Sequence, residues 1–216
     1  MLANLLRVKR NAAVPTAGLV AWYTMDSIAS GVLVDQMGAR NGTVSGCSIV
    51  AGKIGNAVSL NGTTSDGIAL PSMGVTQITI SMWVWVNSLA PFQQPIIGNW
   101  NSGATTSYLL DIVGGNFRWI TEGPPTYVRS AAAATGQWMH VCVYNGSDGI
   151  SGIVVNNGTA ITGSSTVSLR TTTGALTLGY KGDDVTPRFG GRIDQLRIYN
   201  RALSRAEISQ LYAEAA

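Results

Sequence analysis

Charge is scarce in this chain of 216 residues: 14 Lys and Arg stand against 11 Asp and Glu, for a formal net charge of +3. A nucleic-acid groove needs a clustered basic stripe with stacking aromatics, and the basic residues here are scattered apart from Arg7, Lys9 and Arg10, so nucleic acid is excluded as a partner. Cysteine occurs twice, as Cys47 and Cys142, without the short paired spacing of a zinc site. Those two residues are compatible with one disulfide or with two buried thiols. No apolar run reaches the ~18 residues of a membrane-spanning helix, which argues against membrane insertion. In MLANLLRVKRNAAVPTAG, Arg7, Lys9 and Arg10 interrupt the apolar stretch before it becomes the core of a cleavable secretion signal. There is also no internal repeat and no long helical pattern, so a helical bundle or solenoid is excluded.

What the chain has is glycine, 26 residues of it, together with many Ser, Thr and Asn. That composition describes short strands joined by tight turns. The cleanest strand is QITISMWVWVN at 77–87, where Ile78, Ile80, Met82, Val84 and Val86 alternate with Thr79, Ser81, Trp83, Trp85 and Asn87. Its even positions make a core face and its odd positions an aromatic and polar one. Further strands are predicted at GLVAWYTMD, NAVSLNG, DGIALP, QPIIGNW, SYLLDIV, GNFRWITE, QWMHVCVYNG, GIVVNNGTAI, ALTLGYK and GRIDQLRIYN, spaced as in a β-sandwich. Ser204 then opens SRAE, in which Ser204 caps a short helix, Glu207 reaches back to it, and Ile208, Leu211 and Tyr212 form its apolar stripe. In the last strand, alternation puts Asp194 on one face with Leu196 and Ile198, opposite Ile193, Gln195, Arg197 and Tyr199, so a carboxylate is expected on the inner side. Residues 1–17 read as a basic arm that packs on its own domain or on a neighbouring subunit, and residues 18–216 as one domain.

GLVAWYTMD, ITISMWVWVN, GQWMHVCVYNG, LTLGY and GRIDQLRIYNRALSRAEISQLY, in this order and spacing, resemble the concanavalin A-like, laminin-G-like (LamG) jelly-roll family over roughly residues 18–212. The resemblance implies an all-β, antiparallel jelly-roll sandwich with a short C-terminal helix. It also implies core positions for Trp22 and Trp138, and one structural calcium held by Asp26 and Asp194 with Asp35, Asn41, Gly42 and Thr43 of the following loop as candidate donors. A calcium ion takes six to eight hard oxygens and would neutralise an inward carboxylate. The other reading of Asp194 is an ion pair with Arg192 or Arg197, or bonds from backbone N–H groups. The chain departs from the family at Asn156 and Asn157, where relatives carry an acid in the turn, and at Met139, where many place a second histidine beside His140.

Catalysis finds little support in the residues. Glycosidases of this fold need paired acids on one strand face, and no such string is present: Asp183 and Asp184 are adjacent, and Asp111 and Glu122 are isolated. His140 and Cys142 share a strand face with Trp138 and Tyr144, which reads as a packed histidine and a structural thiol. The expectation is therefore a protein that is not an enzyme. For sugar contact the candidates are Trp100, flanked by Asn99 and Asn101 in a turn, and Tyr127 after EGPPT. By resemblance the first expected function is attachment or assembly, as a virion (phage) head-decoration or tail-accessory protein whose arm, with Arg7, Lys9 and Arg10, engages capsid, tail or self subunits. The alternative is an extracellular carbohydrate-binding or adhesion module. The expected location is the virion surface in the first case and the extracellular space or cell surface in the second.

Overall fold

Residues 14–63, 65–100, 108–121, 126–164, 174–181 and 187–215 are described by the computed structural model, without the side chains of Thr126, Tyr127, Arg129, Ala131 and Ser164. In chain order the strands are β1 (Leu19–Tyr23), β2 (Val32–Leu33), β3 (Gly42–Ser45), β4 (Ser48–Ala51), β5 (Asn56–Asn61), β6 (Gly67–Leu70), β7 (Ile78–Val86) and β8 (Gln93–Gly98). They continue as β9 (Tyr108–Val113), β10 (Asn116–Thr121), β11 (Thr126–Ala132), β12 (Trp138–Asn145), β13 (Ile150–Val155), β14 (Ile161–Ser164), β15 (Leu176–Leu178) and β16 (Gly190–Tyr199), followed by helix α1 (Arg205–Ala213). The first sheet runs β14-β13-β12-β7-β16-β5-β4 with β1 added beside β16, and the second runs β11-β10-β9-β8-β15-β6-β3-β2. All the pairings within both sheets are antiparallel, so the two form the expected sandwich. No helix among the described residues is long and apolar enough to cross a membrane.

Alternation decides which side chains meet between the sheets. Ile78, Ile80, Met82, Val84 and Val86 of β7 point inward with Val141 and Val143 of β12, and they join Ile68, Leu110, Ile112, Phe117, Trp119 and Leu178 of the second sheet in one buried cluster. Each such side chain contributes about 1.5–3 kcal/mol by leaving water. Of the six tryptophans, Trp119 alone is a member of this core. Trp22 and Trp138, expected there, are half-buried. Trp138 pairs in register with Trp85 and contacts its ring on the outer side of the first sheet. The indole N–H of Trp22 reaches Gln195.

Helix α1 closes part of that outer side. Ser204 is its N-cap, with Glu207 completing the capping box as its spacing predicts. Ile208 and Leu211 are buried in a second apolar cluster with Cys142, Val154, Tyr199 and Leu203, against which Val14 and Leu19 pack. The root of the arm is tied to the same place, since Tyr199 Oη donates to Pro15 O at 3.0 Å and Arg201 Nε to Ala17 O at 2.9 Å. Arg7, Lys9 and Arg10 lie outside the described residues.

The parity of the last strand is corrected by a bulge. Gln195 has φ 49 and the register of β16 against β7 shifts between Asp194 and Arg197. One extra residue reverses the alternation, so Ile193, Leu196 and Ile198 all enter the core. Asp194 then stands on the outer face, opposite Trp83.

Candidate functional site

The outer face of the second sheet carries the residues that could meet a ligand. With Leu110 and Ile112 of β9 and Phe117 and Trp119 of β10 turned inward, Leu109, Asp111, Arg118 and Ile120 turn outward, and the register pairs Arg118 with Asp111 and Ile120 with Leu109. Asp111 is 0% exposed, an arrangement tolerated only with charged and hydrogen-bonding partners. It has both: Arg118 Nε donates to Oδ1 at 2.9 Å, Arg118 Nη2 bonds Oδ2, and Gln93 Nε2 donates to Oδ2 at 2.8 Å. Beside this group lies a cleft of about 150 Å³ bounded by Gln93, Trp100, Leu109, Arg118, Ile120 and Lys181. It joins a half-buried indole to amide, guanidinium and ammonium groups, a set that stacks on a sugar ring and bonds its hydroxyls.

Asn99, a candidate for sugar contact, has a structural bond. It is 7% exposed and its Oδ1 accepts from Tyr108 N at 3.0 Å, which holds the end of β9, while Trp100 is half-buried at the cleft. Asn101 lies outside the described residues, and Tyr127 is described by its backbone alone, paired with Ile120.

The five side chains among the candidate calcium donors fall in three places. Asp35 accepts from the backbone N–H of Trp22 and Met37 on Oδ1 and of Ala39 and Arg40 on Oδ2, while Asn41 Oδ1 accepts from Asp35 N. These two residues tie a loop together and do not fit an ion. Thr43 sits on β3, at a separate cleft. Asp26 and Asp194 do stand together across the turn at Gly52–Asn56: Asp26 Oδ1 accepts from Asn56 N at 2.9 Å, and Asp194 Oδ2 accepts from Lys53 N and Ile54 N at 2.8 Å each. Among the described residues, Asp194 Oδ1 is buried with no hydrogen-bond partner. Burial raises its pKa to about 6, opposed by the backbone donors and assisted by the charge of Asp26. An orphaned oxygen beside a second carboxylate fits a cation in part. Among the described residues, however, no group of three or more His, Cys, Asp or Glu could hold a metal.

The outer face of the first sheet is occupied by its own partners. Trp83 lies between the ammonium of Lys53, 4.8 Å from its ring, and Tyr212 of α1, stacked at 5.5 Å. Arg192 covers Trp85 at 4.9 Å and Arg197 covers Trp22 at 4.7 Å. His140 is buried with Nε2 2.9 Å from Ser81 Oγ, and burial, with Arg197 and Arg205 nearby, lowers its pKa to about 3. Burial pushes the Cys142 thiol up to about 12, so neither residue is poised as base or nucleophile. The amides of the departing turn have structural partners: Asn156 Oδ1 accepts from His140 N and Asn157 Oδ1 from Ser209 Oγ, each at 2.9 Å.

A family model of the concanavalin A-like lectin/glucanases superfamily, Laminin_G_3, matches residues 61–209. No curated protein matches the chain significantly. Among solved structures, the chain is similar to domain 4 of AbnA, a GH43 extracellular arabinanase from Geobacillus stearothermophilus, in complex with arabinotriose, with 27% identity, a TM-score of 0.74, and coverage of 90% of this chain and 98% of that one. It is also similar in fold to Trypanosoma rangeli sialidase in complex with sialic acid, at 20% identity and a TM-score of 0.75, covering 94% of this chain and 34% of the sialidase. A further likeness in fold is to the binding domain of Paraclostridial Mosquitocidal Protein 1, at 17% identity and a TM-score of 0.75, covering 91% of this chain and 52% of that one. The chain thus spans about a third of the sialidase's length and nearly all of the arabinanase domain.

Proposed function

Because the chain belongs to the concanavalin A-like lectin/glucanases superfamily, we propose that it is a non-catalytic carbohydrate-binding domain that takes a short oligosaccharide on the outer face of the second sheet, with one sugar ring on Trp100. The observation that carries this reading is the half-buried indole bordered by Gln93, Arg118 and Lys181. The likeness to an arabinanase domain solved with arabinotriose supports it. Non-catalysis rests on the acids: glycoside hydrolysis needs two carboxyl groups about 5–9.5 Å apart across the bond. Asp111, a carboxylate beside this cleft, is held by Arg118 and Gln93, and among the described residues no carboxylate bounds the cleft. Titration of the full chain with arabinotriose by calorimetry tests the proposal, with Trp100→Ala expected to weaken binding about tenfold or more, as loss of a stacking aromatic does. Equal affinity in the two proteins, or no response to arabinotriose or to a broad glycan array, overturns it.

Asp26 and Asp194 would supply two of the oxygens of a structural calcium, which would neutralise a buried carboxylate and fasten the turn at Gly52–Asn56 to β16. A second reading, attachment of this domain to other protein subunits through the basic arm of a virion protein, is favoured by one observation: the root of the arm is fixed at Pro15 and Ala17. Removal of residues 1–13 tests it; an unchanged solution mass and unchanged particle binding would sink it.

A further inference from the structure

A larger cleft, about 290 Å³, opens on the same sheet over β3, β6 and the residues that follow β15, and the Trp100 reading makes no use of it. We propose that it is a separate site for an acidic sugar, a uronate whose carboxylate meets Arg188 and whose hydroxyls meet Thr43, Ser45 and Ser65. The strand pattern builds its floor and rim. Thr43 and Ser45 turn outward on β3 opposite Ala69 and Gly67 of β6, so two hydroxyls border a floor that has almost no side-chain bulk. A Cβ at Gly67 would collide with the ring of Tyr180, which walls the cleft.

Arg188 is positioned before any ligand arrives. Its Nη1 donates to Asp66 O at 2.7 Å and its guanidinium lies 4.5 Å from the centre of the Tyr180 ring. Among the described residues, its Nε is buried without a hydrogen-bond partner. The Asp66 carboxylate is engaged elsewhere: it accepts from Asn61 N, Asn61 Nδ2, Thr63 Oγ1 and Ser65 Oγ. A planar cation with donor capacity left over is matched by a carboxylate. Asp66 opposes any anion beside it, and a multiply charged phosphate more than the single charge of a uronate, while the hydroxyl rim with its aromatic wall suits a ring in place of a bare anion.

The test is a titration of the full chain followed by amide chemical shifts, using D-glucuronate, D-glucose and acetate as probes. Glucuronate is expected to move the amides of Ser45 and Gly67, and to bind about tenfold more tightly than glucose or acetate. Arg188→Gln should remove that advantage, while Trp100→Ala should leave it intact. Should Arg188→Gln fail to fold, Ser45→Val at an exposed position takes its place and must weaken glucuronate without moving the melting temperature. Equal binding of glucose or acetate, shifts confined to other strands, or loss of glucuronate binding in Trp100→Ala would overturn the proposal. Arabinotriose that fails to bind while glucuronate maps to Ser45 and Gly67 would instead sink the Trp100 reading and leave this one standing.

Discussion

The two outer faces of the sandwich use the same chemistry to opposite ends. On the first sheet, Trp22, Trp83, Trp85 and Trp138 all have a cation or a ring against them, and α1 lays Tyr212 on the row. On the second, Trp100 borders a cleft with Gln93, Arg118 and Lys181 beside Leu109 and Ile120, and Tyr180, itself against Arg188, borders one with Thr43, Ser45 and Ser65. An aromatic side chain is therefore no sign of a binding site by itself; what matters is whether the fold has already supplied its partner. A helix at the end of a chain of strands makes the difference here. It closes part of the outer face of the first sheet and stacks on Trp83 there.

The largest effect that separates the faces is on stability. Leu211 is 1% exposed under α1, and Leu211→Ala should cost about 2–5 kcal/mol through lost burial and the cavity left behind. Trp100→Ala should cost less than about 1 kcal/mol, as partly exposed sites usually do. Denaturant unfolding of both variants measures this, and arabinotriose affinity of Leu211→Ala well below its melting point should equal that of the parent. A weaker affinity would show that the sealed face and the open one are coupled.

A smaller effect comes from Asp194 and His140, which flank Trp83 in register on the sealed face. The folded pKa of Asp194, about 6, exceeds its ordinary value of 3.8, so between about pH 4 and 6 the folded state holds more protons than the unfolded one and this group favours folding as pH falls. His140, at about 3 against 6.5, does the reverse over about pH 3 to 6.5, because the unfolded chain takes a proton that the folded one refuses. Asp194→Asn removes the first contribution. In EDTA it should raise the melting temperature by about 3 °C at pH 8, with the gain gone near pH 4 and a steeper acid loss from His140 exposed. Added calcium should raise the parent and not the variant. A variant less stable than the parent in EDTA at pH 8 would mean that the backbone donors of Lys53 and Ile54 need the charge, and the orphaned oxygen would lose its significance.

Much of this architecture is legible in the residues, and the failures have local causes. The alternation in β7, the paired strands around His140 and the capping box at Ser204 are strong, periodic signals, and the structure follows them. β2, β3 and β4 give no comparable signal: they have two to four residues each, too few for an alternation to show, so a loop and a strand read alike. The side of Asp194 is misread because a bulge adds one residue, and a non-glycine with positive φ, Gln195, has no sequence signature. Trp100 stands out in the sequence by its flanking amides, and the structure sets it half-buried at a cleft. The cleft at Arg188 does not stand out there, because it joins residues from 43 to 188 that only the pairing of β3, β6 and β15 brings together.

The smallest effect concerns the thiols, which lie one on each side of the first sheet. Cys142 is buried under α1, whereas Cys47 is half-buried against the inter-sheet core with its Sγ 3.2 Å from Ser45 O. Both are free, and their placement excludes the disulfide that the sequence left open. With its thiol pushed up to about 12, Cys142 is thiolate to only about one part in ten thousand at pH 8. Alkylation of the native protein should therefore label Cys47 alone and change the melting temperature by less than about 1 °C, and both residues should react once the chain is unfolded. Two labels in the native state would mean that α1 opens on the timescale of the reaction, and the contrast between a sealed face and an open one would then be one of degree.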